Sequence, residues 1–282
     1  FCRIIAIYSK MLHLSIEHVG ESPVEDSVNT ATVRLAADVG FDEVLRTARA
    51  AGITSPLLPV PSMALGSFEV SPLELAYAYA TLASGGTRFE RFALFSVTTP
   101  DGDRLWSGKM KRRQVFDPRA TYLTGYALEG VLERGTAREA KSLHLVFPVS
   151  GKTGTTNGNR DSWFVGYTPD VVCAVWVGYD SGADTGLTGA AGALRIFARF
   201  MRAFYSVSGP PAAAVPDGIE MARIDPESGY LATSRCPRTF PEAYLRGTAP
   251  GETCPDHPVH PVMDALRNKM REAGGFLREL FR

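Results

Sequence analysis

The clearest pattern of apolar runs divided by polar turns lies between residues 148 and 180. A stretch of small residues carrying a single lysine, Pro148-Val149-Ser150-Gly151-Lys152-Thr153-Gly154-Thr155-Thr156, is followed by a polar turn, Asn157-Gly158-Asn159-Arg160-Asp161. Two β-branched and aromatic runs come next, 163–167 and 171–179, divided by Thr168-Pro169-Asp170. Apolar runs of this length bounded by turn residues predict strands, and the short separation predicts a hairpin. Upstream the period changes. Val33, Ala36 and Ala37 recur at helical spacing with Gly40 as a stop, and a second short helix covers 41–51 and ends at Gly52. Ser71 is an N-cap, Pro72 suits the first helical position and Glu74 completes a capping box. The helix behind them turns Leu75, Ala76, Tyr79 and Leu82 inward and stops at Gly85-Gly86, and it reads as scaffold without catalytic residues.

Residues 93–98 and 104–106 flank Pro100-Asp101-Gly102-Asp103 and predict another hairpin. The basic run Lys109-Met110-Lys111-Arg112-Arg113 reads as a solvated loop. Asp117-Pro118 opens an amphipathic helix through Tyr122, Tyr126, Leu128 and Leu132 to Gly135. A glycine-rich turn from Gly182 leads to a helix over 194–201, and Pro210-Pro211-Ala212-Ala213-Ala214-Val215-Pro216 reads as a linker. Residues 218–233 predict a small hairpin turning at Asp225-Pro226-Glu227-Ser228-Gly229. The final amphipathic stretch, 262–281, is interrupted by Gly274-Gly275 and predicts a helix that packs on the domain or on a partner.

Composition narrows the class. With 282 residues, 45% of them hydrophobic, the chain is long enough for one large core and an appendage. Thirty basic and thirty acidic side chains cancel, which argues against nucleic acid as a partner. No apolar run approaches the roughly 20 residues that span a bilayer, because Arg3, Lys10, His13, Glu17 and His18 break up the first nineteen. Four cysteines are too few for a disulfide scaffold, and Cys173, inside an apolar strand, reads as a buried free thiol.

Candidate chemistry gathers at two places. Gly151-Lys152-Thr153-Gly154 could open a phosphate-binding loop, but that motif needs a glycine at position 146, where Val146 stands. Lys-Thr-Gly on a strand is instead the third motif of serine enzymes that recognise penicillin. The longer run Gly-Lys-Thr-Gly-Thr-Thr-Asn…Asp-Ser-Trp-Phe-Val-Gly-Tyr-Thr-Pro-Asp…Val-Trp-Val-Gly-Tyr-Asp resembles the transpeptidase domain of bifunctional (class A) penicillin-binding proteins. Ser27-Val28-Asn29 matches the Ser-x-Asn motif of that family, and the stretch from Pro61 to Leu75 continues the resemblance. Without the family context, Ser27 or Asn29 would read as a helix cap.

The resemblance implies an α+β fold of the serine β-lactamase and penicillin-binding type, an antiparallel sheet flanked by helices. It divides the chain into an unplaced segment 1–22, a partial transpeptidase domain 23–208 and a tail 209–282. It implies that Ser27 shuttles a proton, that Asn29 holds the acyl-side amide, and that Lys152 contacts both Ser27 and the substrate carboxylate. Thr153 and Thr155 would offer hydroxyls to that carboxylate, Gly154 would let a substrate backbone approach, and the Thr155 N–H would be one of two oxyanion donors. No cofactor is implied. The implied partners are peptidoglycan stem peptides and β-lactams, the latter bound weakly or non-covalently by this chain. The implied place is the cell envelope, on the periplasmic or other extracytoplasmic face of a membrane, reached through an anchor outside this sequence.

Tails of this family often carry a cysteine pair, so Cys236 and Cys254 are expected to form a disulfide in an exported protein. A metal site built from Cys254, His257 and His260 is a poor match because prolines interrupt it, so no metal is expected. One family motif does not appear. Three residues before Lys10, Lys109, Lys111, Lys141, Lys152 and Lys269 stand Ile7, Trp106, Gly108, Arg138, Val149 and Leu266, so no Ser-x-x-Lys is present. The expectation is therefore the C-terminal part of a transpeptidase, inactive alone. The alternatives are a non-catalytic remnant that binds cell-wall peptide or a partner, and, third, a β-lactamase, whose Glu-x-x-Asn segment is not found.

Overall fold

The computed structural model describes residues 27–258. The unplaced segment 1–22 and the helix expected over 262–281 lie outside the described residues. Two compact units meet in sequence at Ile219/Glu220. Among the described residues no helix is long and apolar enough to cross a membrane.

The first unit begins with helices α1 (Asn29–Val39) and α2 (Phe41–Ala51), followed by the single turn α3 (Pro61–Ala64) and by α4 (Pro72–Ala83). Gly40 ends α1 by donating its N–H to Ala36 O. Gly52 ends α2 at φ 107, a left-handed conformation that a Cβ would oppose. Val44, Ala48 and Ala51 recur at helical spacing on the side of α2 that packs inward and are almost fully buried. The capping box of Ser71 and Glu74 forms as the sequence predicts. Ala78 rather than Ala76 joins Leu75, Tyr79 and Leu82 in the core.

Four short strands follow: β1 (Thr87–Phe89), β2 (Ser96–Thr98), β3 (Arg104–Ser107) and β4 (Arg112–Gln114). The predicted hairpin is β2 with β3. The basic run is exposed as expected but is not wholly a loop, because Arg112 and Arg113 pair with Phe89 and Arg88. Helix α5 (Pro118–Glu133) is capped by Asp117, whose carboxylate accepts the Arg119 N–H at 2.8 Å.

The sheet that matters for function is β5 (Ser150–Thr155), β6 (Asp161–Tyr167) and β7 (Val172–Gly178), antiparallel in that order, with β5 at an edge. Helix α6 (Ala193–Phe204) closes the unit. Successive residues of a strand point to opposite faces, and β6 uses both. Phe164 packs on Phe197 of α6, with ring centroids 4.6 Å apart, while Tyr167 meets Tyr79 of α4 edge-on at 6.1 Å. The sheet is thus covered by α6 on one face and by α4 and α5 on the other. Gly151 and Gly166 lie opposite each other under these rings. A Cβ on Gly166 would come within 2.9 Å of both Phe164 and Phe197, so only glycine lets α6 settle this close. Ala193, Leu194, Phe197, Ala198 and Met201 form the buried stripe of α6. Each of the larger ones contributes about 1.5–3 kcal/mol by leaving water.

The second unit holds β8 (Ile219–Ile224) and β9 (Phe240–Leu245), which pair with each other. The hairpin expected over 218–233 forms only in part. Its turn is present, with Gly229 N–H on Asp225 O at 2.8 Å, and Ile224 bridges Leu231. The chain then leaves the ladder because Thr233 N–H donates to Cys236 Sγ at 3.2 Å instead of to a strand partner. The main partner of β8 is β9, which comes later in the sequence.

Candidate active site

Edge strand β5 carries Lys152, whose side chain is buried with 6% exposure. A buried amine needs hydrogen-bond partners, and oxygens supply them. Lys152 Nζ donates to Ser27 Oγ, to Thr153 O at 3.2 Å and to Thr153 Oγ1 at 3.4 Å. Ser27 and Lys152 are 125 positions apart, so this contact is tertiary and no local pattern produces it.

Ser27 is not a helix cap. The N-cap of α1 is Val28, with no side-chain cap bond. Ser27 itself has φ 56, in the left-handed region that residues with a Cβ rarely enter. Such strain persists where surrounding structure imposes it, and here it accompanies the hydroxyl on Lys152. The chain just after Ser27 is pinned by Thr32 Oγ1, which donates to Val28 O at 2.9 Å, and by the buried Ala36. Asn29, the first residue of α1, is exposed two positions on.

The other strand residues sort by direction. Thr156 N–H donates to Asp161 O at 3.2 Å, and Thr155 is paired with Ser162. In an antiparallel ladder the bonded and non-bonded pairs alternate, so the N–H and C=O groups of Thr155 and Thr153 point away from β6. They face the open edge, where Lys152 already uses Thr153 O. An extended peptide could add there as a further strand.

Two contacts escaped the sequence. Thr136 Oγ1 lies 2.9 Å from Thr153 Oγ1, so the Thr153 hydroxyl has a partner before any ligand arrives. Thr136 follows the end of α5, and nothing in its neighbourhood marked it. Thr155 Oγ1 accepts the Gly189 N–H at 2.8 Å, which ties the loop before α6 to the end of β5 and leaves its own O–H to donate. A Cβ on Gly189 would stand 2.6 Å from Trp163 O and 2.7 Å from Gly154 O. Both neighbours are backbone and cannot swing aside. We expect Gly189→Ala to cost about 1–3 kcal/mol and lower the melting temperature, as overpacking does. Thermal unfolding followed by circular dichroism checks this, and an unchanged midpoint would show that the loop is not held against β5.

A cavity of about 170 Å³, lined by Glu129, Leu132, Glu133, Lys141 and Val149 among others, does not include Ser27 or Lys152. Burial, and then repulsion from Glu133, push Glu129 up to about 6.

The expected disulfide is not formed: Cys236 and Cys254 are free thiols. Each is drawn to other polar groups, Cys236 Sγ to Thr233 N–H and Cys254 Sγ to Asp225 Oδ2 at 3.4 Å and His257 Nδ1 at 3.3 Å. The metal set considered from sequence lacked Asp225 and Cys236. His260 lies outside the described residues, whereas Asp225, Cys236, Cys254 and His257 come together.

Comparison with known proteins gives the family and the fold. Residues 21–202 match the model of the penicillin binding protein transpeptidase domain, and 215–259 match that of the penicillin-binding protein 1A C-terminal domain. Penicillin-binding protein 1B of Vibrio cholerae is 38% identical over 191 residues, covering 66% of this chain and 25% of that protein. Penicillin-binding protein 1A of Aquifex aeolicus is 34% identical over 232 residues, covering 82% of this chain and 31% of its own. Among solved structures, penicillin-binding protein 1A from Haemophilus influenzae superposes with a TM-score of 0.77 at 20% identity, over 90% of this chain and 48% of that one. The fold is therefore that of the penicillin-binding transpeptidases. The chain belongs to the penicillin-binding protein transpeptidase family, as a transpeptidase region of the class A type. It spans about a quarter to a third of the length of these curated relatives.

Proposed function

We propose that this chain supplies the carboxylate-binding and proton-relay half of a D,D-transpeptidase that cross-links peptidoglycan stem peptides in the cell envelope. The observation that carries the reading is the Lys152 Nζ to Ser27 Oγ hydrogen bond, which joins two family motifs across 125 positions. In the acyl-transfer reaction a serine attacks the carbonyl of D-alanyl-D-alanine, the amine of the terminal D-alanine leaves with a proton, and a second amine later takes the acyl group. Ser27 is placed to pass that proton, because its oxygen can accept from Lys152 while its own O–H donates to the leaving nitrogen. Lys152, Thr153 and Thr155 would meet the terminal carboxylate of the peptide, or the carboxylate of a β-lactam, with charge-assisted bonds. Asn29 would hold the acyl-side amide, and the outward N–H of Thr155 would face the oxyanion.

A second reading, a peptide-binding remnant without turnover, is favoured by one observation: none of the six lysines has a serine three residues before it. The two readings separate in a protein that joins this chain to a Ser-x-x-Lys segment. There, Ser27→Ala and Lys152→Ala should each slow acylation by a labelled penicillin ~10²–10⁴-fold, the usual contribution of a positioned acid or base. The double variant should be no slower than the worse single one, because residues that act as a unit are not additive. Wild-type rates in both single variants would discard the transpeptidase reading and leave the binding one.

A further inference from the structure

We propose that the second unit contains a zinc site formed by Asp225, Cys236, Cys254 and His257. One ligand atom from each lies within 4.8 Å of all the others. Three edges of the cluster are short: Cys254 Sγ to His257 Nδ1 is 3.3 Å, Cys254 Sγ to Asp225 Oδ2 is 3.4 Å, and His257 Nδ1 to Asp225 Oδ2 is 3.2 Å. A tetrahedral ion with zinc's usual bond lengths holds its ligand atoms ~3.3–3.8 Å apart, so the side chains already approximate one face of that tetrahedron. Two sulfurs, one imidazole and one carboxylate make a mixed soft and borderline donor set that suits zinc far better than calcium or magnesium.

The surroundings orient the donors as a metal site requires. Asp225 is buried with 2% exposure. Its Oδ1 is occupied by the N–H groups of Glu227 at 2.9 Å and Ser228 at 3.3 Å, which leaves Oδ2 turned toward the sulfurs as a single ligand atom. Cys236 Sγ accepts the Thr233 N–H at 3.2 Å, a bond that stabilises a thiolate. Thr233 Oγ1 donates to His257 O at 2.6 Å and so fixes the backbone that carries the imidazole. The ligands come from the turn after β8, from a loop starting at Cys236, and from the tight Cys254-Pro255-Asp256-His257 turn. Those loops contain little regular structure, so one ion holding them together would take the role that a core plays elsewhere. The buried Oδ2 of Asp225, which meets Cys254 Sγ and the His257 imidazole, is also stabilised when a cation sits among them.

Binding displaces two thiol protons to solvent and forms two Zn–S, one Zn–N and one Zn–O bond, with the imidazole neutral and its proton on Nε2. No oxidant is involved. A disulfide between the same sulfurs would require one, and it would remove both thiolates from the site.

The test uses the full 282-residue chain, reduced and free of metal, titrated with Co²⁺ and then Zn²⁺. We expect one Co²⁺ per chain, with the intense absorption of a tetrahedral thiolate site, displaced by one Zn²⁺, and a rise in the melting temperature on loading. Cys236→Ser and Cys254→Ser should abolish the thiolate absorption. Asp225→Asn and His257→Gln, which keep shape, should weaken binding by more than the ~10–100-fold typical of an outer partner. Circular dichroism of each variant separates lost binding from lost folding. The proposal is overturned if the wild type binds no metal, if the absorption survives in both cysteine variants, or if protein isolated without reductant has Cys236 and Cys254 joined and takes up zinc no better after reduction. None of these results depends on transpeptidase activity.

Discussion

Incubated with a labelled penicillin, this 282-residue chain should gain no mass on any serine. Acylation by a β-lactam needs a serine whose proton is removed as it attacks, since an ordinary hydroxyl is a weak nucleophile at neutral pH. In the family that activation comes from a lysine three residues after the serine, and none of the six lysines here has a serine at that position. Ser27 does touch a lysine, Lys152. Yet Lys152 Nζ lies among Ser27 Oγ, Thr153 O and Thr153 Oγ1, and donates to all three. An amine that donates to the Ser27 oxygen orients that hydroxyl and is not placed to take its proton. Reversible binding of the drug's carboxylate at Lys152, Thr153 and Thr155 is compatible with this result, because it needs only donors. Intact-protein mass spectrometry after incubation is the measurement. A stoichiometric mass increase mapped to Ser27, or to any other serine, would mean that the nucleophile is in this chain and that Ser27 has been given the wrong role.

The largest effect on stability should come from Glu74. The sequence marks it as the acid of a capping box, and it does serve there. The structure gives it a larger task. The residue is buried with 4% exposure. Oε1 accepts Thr54 N–H at 2.6 Å, Thr54 Oγ1 at 2.6 Å and Ser55 N–H at 2.9 Å, and Oε2 accepts the Ser55 hydroxyl. Arg91 Nη2 approaches to 3.7 Å. Burial by itself would raise the pKa, but the hydroxyls and N–H groups of Ser55 and Thr54 outweigh it and hold the carboxyl well below the usual range. Glu74→Ala leaves those donors facing a void and should destabilise the first unit by about 3–5 kcal/mol. The pH dependence has a definite sign. A carboxyl with a depressed folded value contributes stability that is present above the unfolded value of about 4.3 and is lost as the pH falls below it. Urea unfolding between pH 3 and 7 should therefore show wild type losing stability in acid, and Glu74→Gln should be less stable at pH 7 with a flatter acid limb. Parallel curves for the two proteins would exclude Glu74 as the buried anion.

How legible the molecule was depended on the range of the interactions. The β6–β7 hairpin, the capping box at Ser71 and the helix stops at Gly40, Gly52 and Gly85-Gly86 could be read residue by residue. Each rests on local turn, cap or strand preferences of residues close together in the sequence. The tail shows where such reading stops. Its turn at Asp225 was legible, but the pairing of β8 with β9 was not, because it depends on Thr233 leaving the ladder for Cys236 and on a strand fifteen residues further along.

The candidate site divides in the same way. Lys152-Thr153-Gly154 and Ser27-Val28-Asn29 were visible as motifs, and their family resemblance implied a shared cleft. That Lys152 is buried, that Thr136 occupies the hydroxyl of Thr153, and that Gly189 rests on Gly154 became apparent only with the chain folded. By itself the sequence determined the longer helices of the first unit, its β2–β3 and β6–β7 hairpins and the two motifs that resemble those of the family, but not the pairing of β1 with β4. Tertiary structure decided which groups meet: Ser27 with Lys152, Glu74 with Thr54 and Ser55, and Asp225 with two cysteines and a histidine. The physical reason is that a buried charge must find its partners in three dimensions, and those partners can stand anywhere along the chain.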